Sequence, residues 1–265
     1  MIEGIRINKQ QNITICIIDY LSNQFEGILR RSLTNICYGR KQSEEDPTSY
    51  SYEYTLKQLL LRFSSKSRSI QIGMIGELLS HILLVELYTN LTSVNLYFNL
   101  EERSIKKGFD LILYETQKQG MWITEVKSGE IDTNRNIDRK NTELLNSAKR
   151  DLTKRLNEST DNLWHNAVHS ALISLKENDE KNAVIQILRG SLKESQNNSS
   201  TSLNKNVVLT SVIFCDTSRE VTLDNVVKFH SKTILERKFS DFIAISMQEK
   251  SIDEIVNFLV SEVSK

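Results

Sequence analysis

No sign of charge prevails in this chain: 34 lysines and arginines balance 34 aspartates and glutamates over 265 residues, for a net charge of zero. Bulk charge therefore announces no polyanion partner, and contact with nucleic acid requires basic residues segregated onto one face. Cysteine is scarce. Cys16, Cys37 and Cys215 are far apart, odd in number and free of any Cys-x-x-Cys pair. That excludes a disulfide framework and a cysteine zinc site, and it fits a reducing compartment. Proline is limited to Pro47, and hydrophobic residues make up 39 % of the chain, which suits a compact globular protein rather than a disordered one. Unbroken apolar runs are short too. Residues 82–87 are a typical example, far short of a membrane span, and no basic segment followed by an apolar stretch marks a signal peptide. The expectation is a soluble, cytoplasmic protein without a membrane partner. A Gly-x-x-x-x-Gly-Lys-Ser/Thr loop is absent, which argues against an ATP motor, and so is a nucleophile elbow.

What is present is a series of periodic segments. Residues 13–20 read as a strand, and Phe25, Ile28, Leu29, Leu33 and Ile36 recur at the spacing of an amphipathic helix. Gly39, a charged cluster, Pro47 and several serines make 38–53 a loop, and 56–63 reads as helical. Residues 70–88 are apolar and too long for a strand, which predicts a buried helix. Strand-like runs follow at 94–99, 109–115 and 121–127, the last two parted by Gly120 and polar neighbours as in a β-hairpin. Residues 132–140 read as polar loop. Leu144, Leu145, Ala148, Leu152 and Leu156 then form a helical stripe, and 163–175 and 183–188 are further helices. The serine- and asparagine-rich segment 195–206 reads as a mobile connector. Residues 207–215 form a central strand, 242–247 a shorter one, and Ile252, Ile255, Val256, Leu259, Val260 and Val263 a C-terminal helix. The order helix, three strands, helix, strand predicts an α/β domain around a mixed sheet.

The segment that carries chemistry is Lys106-Lys107-Gly108-Phe109-Asp110 followed by Trp122-Ile123-Thr124-Glu125-Val126-Lys127. Alternate residues of a strand share a face, so Glu125 and Lys127 project together while Val126 points away. With a hairpin loop at 117–120, Asp110 falls opposite Lys127 and diagonal to Glu125, and the three lie within about 5–8 Å. A slip of one residue would send Asp110 to the other face. Two carboxylates on one face suit a hard cation such as Mg²⁺ (or Mn²⁺), which takes oxygen ligands and keeps several waters. A lysine beside them can orient or deprotonate a water, or stabilise charge on a phosphate under attack. The dipeptide spacing alone says little, since acid-x-Lys occurs at Glu125, Asp138, Asp179 and Glu236. Only the Glu125 copy ends an apolar strand and follows another strand that opens with an aspartate. The bland alternative is a surface ion pair on a hairpin.

This pattern resembles the PD-(D/E)xK, or restriction-endonuclease-like, superfamily, whose core is a helix, three strands, a helix and a strand. The resemblance implies a metal-dependent nuclease with Asp110 and Glu125 as metal ligands and Lys127 as catalytic lysine. Many members add a glutamate from the first core helix, and Glu77 in Ile75-Gly76-Glu77-Leu78-Leu79 matches that role. Phe109 stands where the motif has proline. Over most of its length the chain also resembles the HamA family, the nuclease subunit of the Hachiman anti-phage defence system. That resemblance implies DNA as substrate and a helicase subunit of the same system as partner. The domain division expected is 1–64 as an N-terminal α/β extension that could bind the partner, and 65–265 as the nuclease domain.

Other signals are weaker. Lys149, Arg150, Lys154 and Arg155 predict a basic outer face on the helix after the two strands, and Lys107, Lys106, Lys66 and Arg68 could extend it toward phosphates. His165 and His169 have the spacing of a helical metal pair but lack a following glutamate and a third ligand. Two rival functions remain at this level: a catalytically inactive DNA- or protein-binding module, and a stand-alone restriction endonuclease.

Overall fold

In the computed structural model, residues 2–98, 108–131 and 135–263 are described. The described residues form a seven-stranded mixed sheet with helices on both faces. The strands are β1 (Ile5–Gln10), β2 (Ile13–Ile18), β3 (Leu91–Ser93), β4 (Leu111–Glu115), β5 (Gly120–Glu130), β6 (Asn206–Phe214) and β7 (Asp241–Glu249), in the spatial order β1-β2-β7-β6-β5-β4-β3. The four central strands, β2, β7, β6 and β5, run parallel, and antiparallel β1 on one side and β4 and β3 on the other complete the sheet. The predicted α/β fold with a mixed sheet is thus the observed one.

Two cores flank the sheet. On one face lie α1 (Asn23–Tyr38), α3 (Tyr52–Ser64), α4 (Arg68–Leu87) and α9 (Ile252–Val263), whose Phe25, Leu56, Leu78 and Ile255 pack with Val126, Val208 and Ile245 of the strands. On the other lie α5 (Ile137–Asn157), α6 (Asp161–Ser174), α7 (Asp179–Gln196) and α8 (Leu223–Leu235), where Leu145, Trp164, Leu188 and Val226 meet Ile123, Val207 and Leu209. Burial on both faces accounts for the nearly unbroken apolar run of β6. Side-chain oxygens of Ser22, Ser51, Asn136, Asn178 and Thr222 accept N–H bonds in the first turns of α1, α3, α5, α7 and α8, as good N-caps do. Helix α4, 20 residues long, is apolar around most of its circumference. Its length and composition match a membrane span, but it is mostly buried inside the protein and touches β3, β5 and β6.

Several expectations are corrected. The strand expected at 94–99 is irregular over its described residues, and the edge strand is β3, a few residues earlier. The segment is held instead by hydrogen bonds from Tyr97 N to Ile36 O at 2.9 Å, from Asn95 Nδ2 to Asp110 O and from Ile112 N of β4 to Asn95 Oδ1. Residues 38–53 include a short helix α2 (Arg40–Glu45) with no buried residue, so no apolar stripe reveals it. Helix α5 begins inside the expected 132–140 loop. The 195–206 connector is anchored, with Ser195 and Ser202 buried and bonded to Asp161 and Asn157. Strand β1 and helix α8 add to the expected elements. The first 64 residues contribute β1 and β2, and β2 pairs with β7 in the same sheet that carries β5.

Candidate active site

Strands β4 and β5 pair Leu111 with Thr124 and Glu115 with Gly120. The hairpin loop is therefore 116–119, one residue earlier than expected, and continuing the register places Asp110 across from Glu125 rather than Lys127. A shift of two residues keeps the face, because side chains alternate with period two. Asp110, Glu125 and Lys127 all lie toward α5, on the face that buries Ile112 and Ile123.

The backbone pairing of β4 with β5 ends at Leu111. Two side chains replace the missing backbone pairing. Asp110 Oδ2 accepts the N–H of Val126 at 2.7 Å, and buried Asn95 donates to Asp110 O at 3.1 Å while accepting from Ile112 N at 2.6 Å. Next to it, Phe109, in the position of the motif's proline, packs on Trp164 with ring centroids 4.9 Å apart. Asp110 is thus fixed from both sides.

Glu125 is fully buried and holds two cations. Lys127 Nζ donates to Glu125 Oε1 at 2.8 Å, and Arg155 Nη1 donates to Glu125 Oε2 at 3.0 Å. The same Arg155 nitrogen lies 3.9 Å from Asp110 Oδ1 and donates to Gly108 O at 3.2 Å. Lys127 also pairs with Asp151 of α5 at 3.1 Å. Burial, opposed and outweighed by Glu125, Asp151 and Asp110, leaves the Lys127 pKa raised, so its ammonium stays charged. Glu77 enters from α4, on the opposite layer. Helix α4 lies against β5 at Gly76, where a β-carbon would stand 2.7 Å from Ser128 Cβ, and this close approach sets the position of Glu77. Burial and the negative charge of Glu125 push the Glu77 carboxyl up to about 7, against Lys127 and Arg155. Burial, then Glu125 and Glu77, also raise Asp110 well above the usual carboxylate range.

Three carboxylates thus feel one another in a poorly solvated place, and a bound cation relieves such repulsion as a proton does. The donors are all hard oxygens, which fits Mg²⁺ or Mn²⁺. Among the described residues no three carboxylate or imidazole groups already enclose a common point as a finished metal cage does. Part of that space is filled by the Arg155 guanidinium. The other acid-x-Lys copies sit at helix ends: Asp138 lies in the first turn of α5, Asp179 begins α7, and Glu236 follows α8.

The expected basic face divides. Arg150 and Lys154 are exposed, each with an acidic neighbour on the helix, Asp151 at 3.0 Å and Glu158 at 3.7 Å. Arg155 turns into the carboxylates. Lys149 is corrected: it lies between Leu145 and Leu152 inside the apolar stripe, buried against α8, with its ammonium 2.8 Å from Glu236 and over the Phe229 ring. Lys107 and Lys106 lie outside the described residues. Arg68 is engaged by Glu130 and Asp253, and His165 and His169 are exposed. Sequence reading missed Asp151 and Asn95. Asp151 was legible in principle, since it stands one helical turn before Arg155 and beside Leu152 of the stripe. Asn95 carried no local signal.

No curated protein matches the chain. The profile of the HamA family matches residues 4–263, nearly the whole of it, and spans every strand and helix that builds this site; the chain belongs to the HamA family.

Proposed function

We propose that this protein is a metal-dependent DNA nuclease, the effector subunit of a Hachiman anti-phage defence complex, restrained by a helicase partner. The observation that carries the reading is Asp110 hydrogen-bonded to the backbone N–H of Val126, between Glu125 and Lys127, with Lys127 itself hydrogen-bonded to Glu125, in a member of the HamA family. Asp110 and Glu125 would hold Mg²⁺ or Mn²⁺, with Glu77 in support. Such an ion, when bound, polarises the phosphate and makes a water more acidic. Lys127 directs its ammonium into the same space, where it orients the attacking water and stabilises charge on the phosphate oxygens. Asp151 holds the other side of that ammonium and fixes its direction. Arg150 and Lys154, exposed on α5, would contact the phosphate backbone. Residues 1–64 are the element proposed to face the partner.

One observation favours a second reading. Glu125 is already neutralised by Lys127 and Arg155, as in a fold retained for binding DNA or protein without catalysis. Plasmid degradation with Mg²⁺ separates the two, using the chain alone and with the neighbouring gene product. The nuclease reading expects Mg²⁺-dependent loss of plasmid that disappears in Glu125→Ala/Lys127→Ala. Dependence on the neighbour makes the enzyme a gated defence subunit. Intact plasmid under every condition leaves the binding module.

A further inference from the structure

The guanidinium of Arg155 is placed where a carboxylate-bound cation would be expected to sit. It donates to Glu125 Oε2 at 3.0 Å and stands 3.9 Å from Asp110 Oδ1, between the two carboxylates assigned above to the metal. Its remaining described contact is a carbonyl, Gly108 O at 3.2 Å. The side chain is about one-third exposed, whereas Glu125 is fully buried. It rises from the last turn of α5, next in sequence to exposed Lys154. A guanidinium leaving the carboxylates would therefore join the cations that face outward from that helix.

We propose that Arg155 is the resident counter-ion of this site, displaced when a divalent cation binds and then presented to the DNA phosphates. The inference rests on the nuclease reading and deepens it. One side chain balances charge in the empty site and recognises substrate in the loaded one, so cation entry and phosphate recognition are a single exchange. No bond is made or broken. A forked guanidinium suits both roles, because carboxylate and phosphate present the same paired oxygens. Lys127 cannot take this part, because Asp151 holds it from the other side.

The exchange makes cation binding compete with an internal ion pair. A charge-assisted hydrogen bond of this kind corresponds to roughly 10- to 100-fold in an equilibrium constant. Titration of Mn²⁺ followed by electron paramagnetic resonance, which needs no catalysis, should show Arg155→Gln binding Mn²⁺ at least about tenfold tighter than wild type, with Glu125→Gln abolishing the site in both. Equal or weaker Mn²⁺ binding in Arg155→Gln, beside a wild type that does bind, overturns this inference and leaves the nuclease reading standing. Absence of Mn²⁺ binding in both proteins overturns the two together. A second measurement on wild type does not depend on the variant folding. A Ca²⁺-loaded crystal structure should show Arg155 withdrawn from Glu125, and an Arg155–Glu125 hydrogen bond kept beside the bound ion refutes the exchange.

Discussion

Gly76→Ala places a methyl group in the contact that sets Glu77 against β5. The new β-carbon would lie 1.8 Å from Ser128 Oγ, 2.7 Å from Ser128 Cβ and 3.4 Å from Val212 Cβ. Rotation of Ser128 escapes the first contact at little cost, because its buried hydroxyl has no hydrogen-bond partner among the described residues. The second is not escapable by rotation. Ser128 Cβ is fixed to β5, whose register is locked by the pairing of Ser128 with Val212, so helix and strand must part by roughly 0.7 Å in a close-packed interior. Overpacking of this kind costs about 1–3 kcal/mol, against a gain of up to about 1 kcal/mol in helix propensity. The net expectation is a loss of about 1–2 kcal/mol. A methyl group added at Gly73, on the same helix, would meet nothing within 4 Å, so Gly73→Ala should be neutral or stabilising. Urea denaturation reads both as shifts in midpoint at constant slope. Ser128→Gly removes the obstructing atoms, and a double-mutant cycle should return a favourable coupling of at least about 1 kcal/mol with Gly76→Ala. Equal stability of the Gly76→Ala and Gly73→Ala variants, or no coupling with Ser128→Gly, would refute the close-approach argument.

Glu249 is buried with one oxygen unpaired, and burial pushes its carboxyl up to about 8. The folded chain thus holds this proton more tightly than the unfolded chain, whose glutamate releases it near pH 4.5. Stability should fall as pH rises between about 4.5 and 8, by up to about 5 kcal/mol. Glu249→Gln should flatten that slope in urea titrations, and an unchanged slope counts against it. Lys149→Ala should lower stability by about 1–2 kcal/mol, because it removes the nearer cation of partly buried Glu236 and leaves it only Lys238 at 3.3 Å among the described residues, and it should leave DNA affinity per folded molecule unchanged. A selective loss of DNA binding would return Lys149 to the phosphate face. Arg150→Ala and Lys154→Ala should do the reverse, with stability kept within about 0.5 kcal/mol and the salt slope of DNA binding reduced by about one for each. A salt slope equal to wild type means these residues do not meet phosphate.

The sequence made legible whatever is repeated along one element. The stripes of α1, α5 and α9, the all-apolar α4 and the double-sided β6 each state their environment in their own residues. The face shared by Asp110, Glu125 and Lys127 was legible for the same reason, and it survived an error of two residues in partner because period two forgives an even shift. Elements that bury little were not legible. Strand β1 buries only Ile5, and α2 buries nothing. Features defined across the chain were also out of reach. Asn95 ends the β4 ladder from 15 residues away from Asp110, and Arg155 meets Glu125 across 30 residues. Lys149 shows the opposite failure. Charge suggested an outer face, while its position between Leu145 and Leu152 already put it inside the stripe.

The central claim is that Asp110, Glu125 and Lys127 act together on a phosphodiester. Its most direct test is single-turnover cleavage of plasmid DNA with Mg²⁺, by the protein alone and with the neighbouring gene product, comparing wild type with Asp110→Asn, Glu125→Gln and Lys127→Met. These near-isosteric changes preserve packing while removing charge. Each should reduce the rate by at least about 100-fold, and a double variant should lose little more than the worst single one, because the groups act as a unit. Cleavage at the wild-type rate in all three would contradict the account and place the chemistry elsewhere.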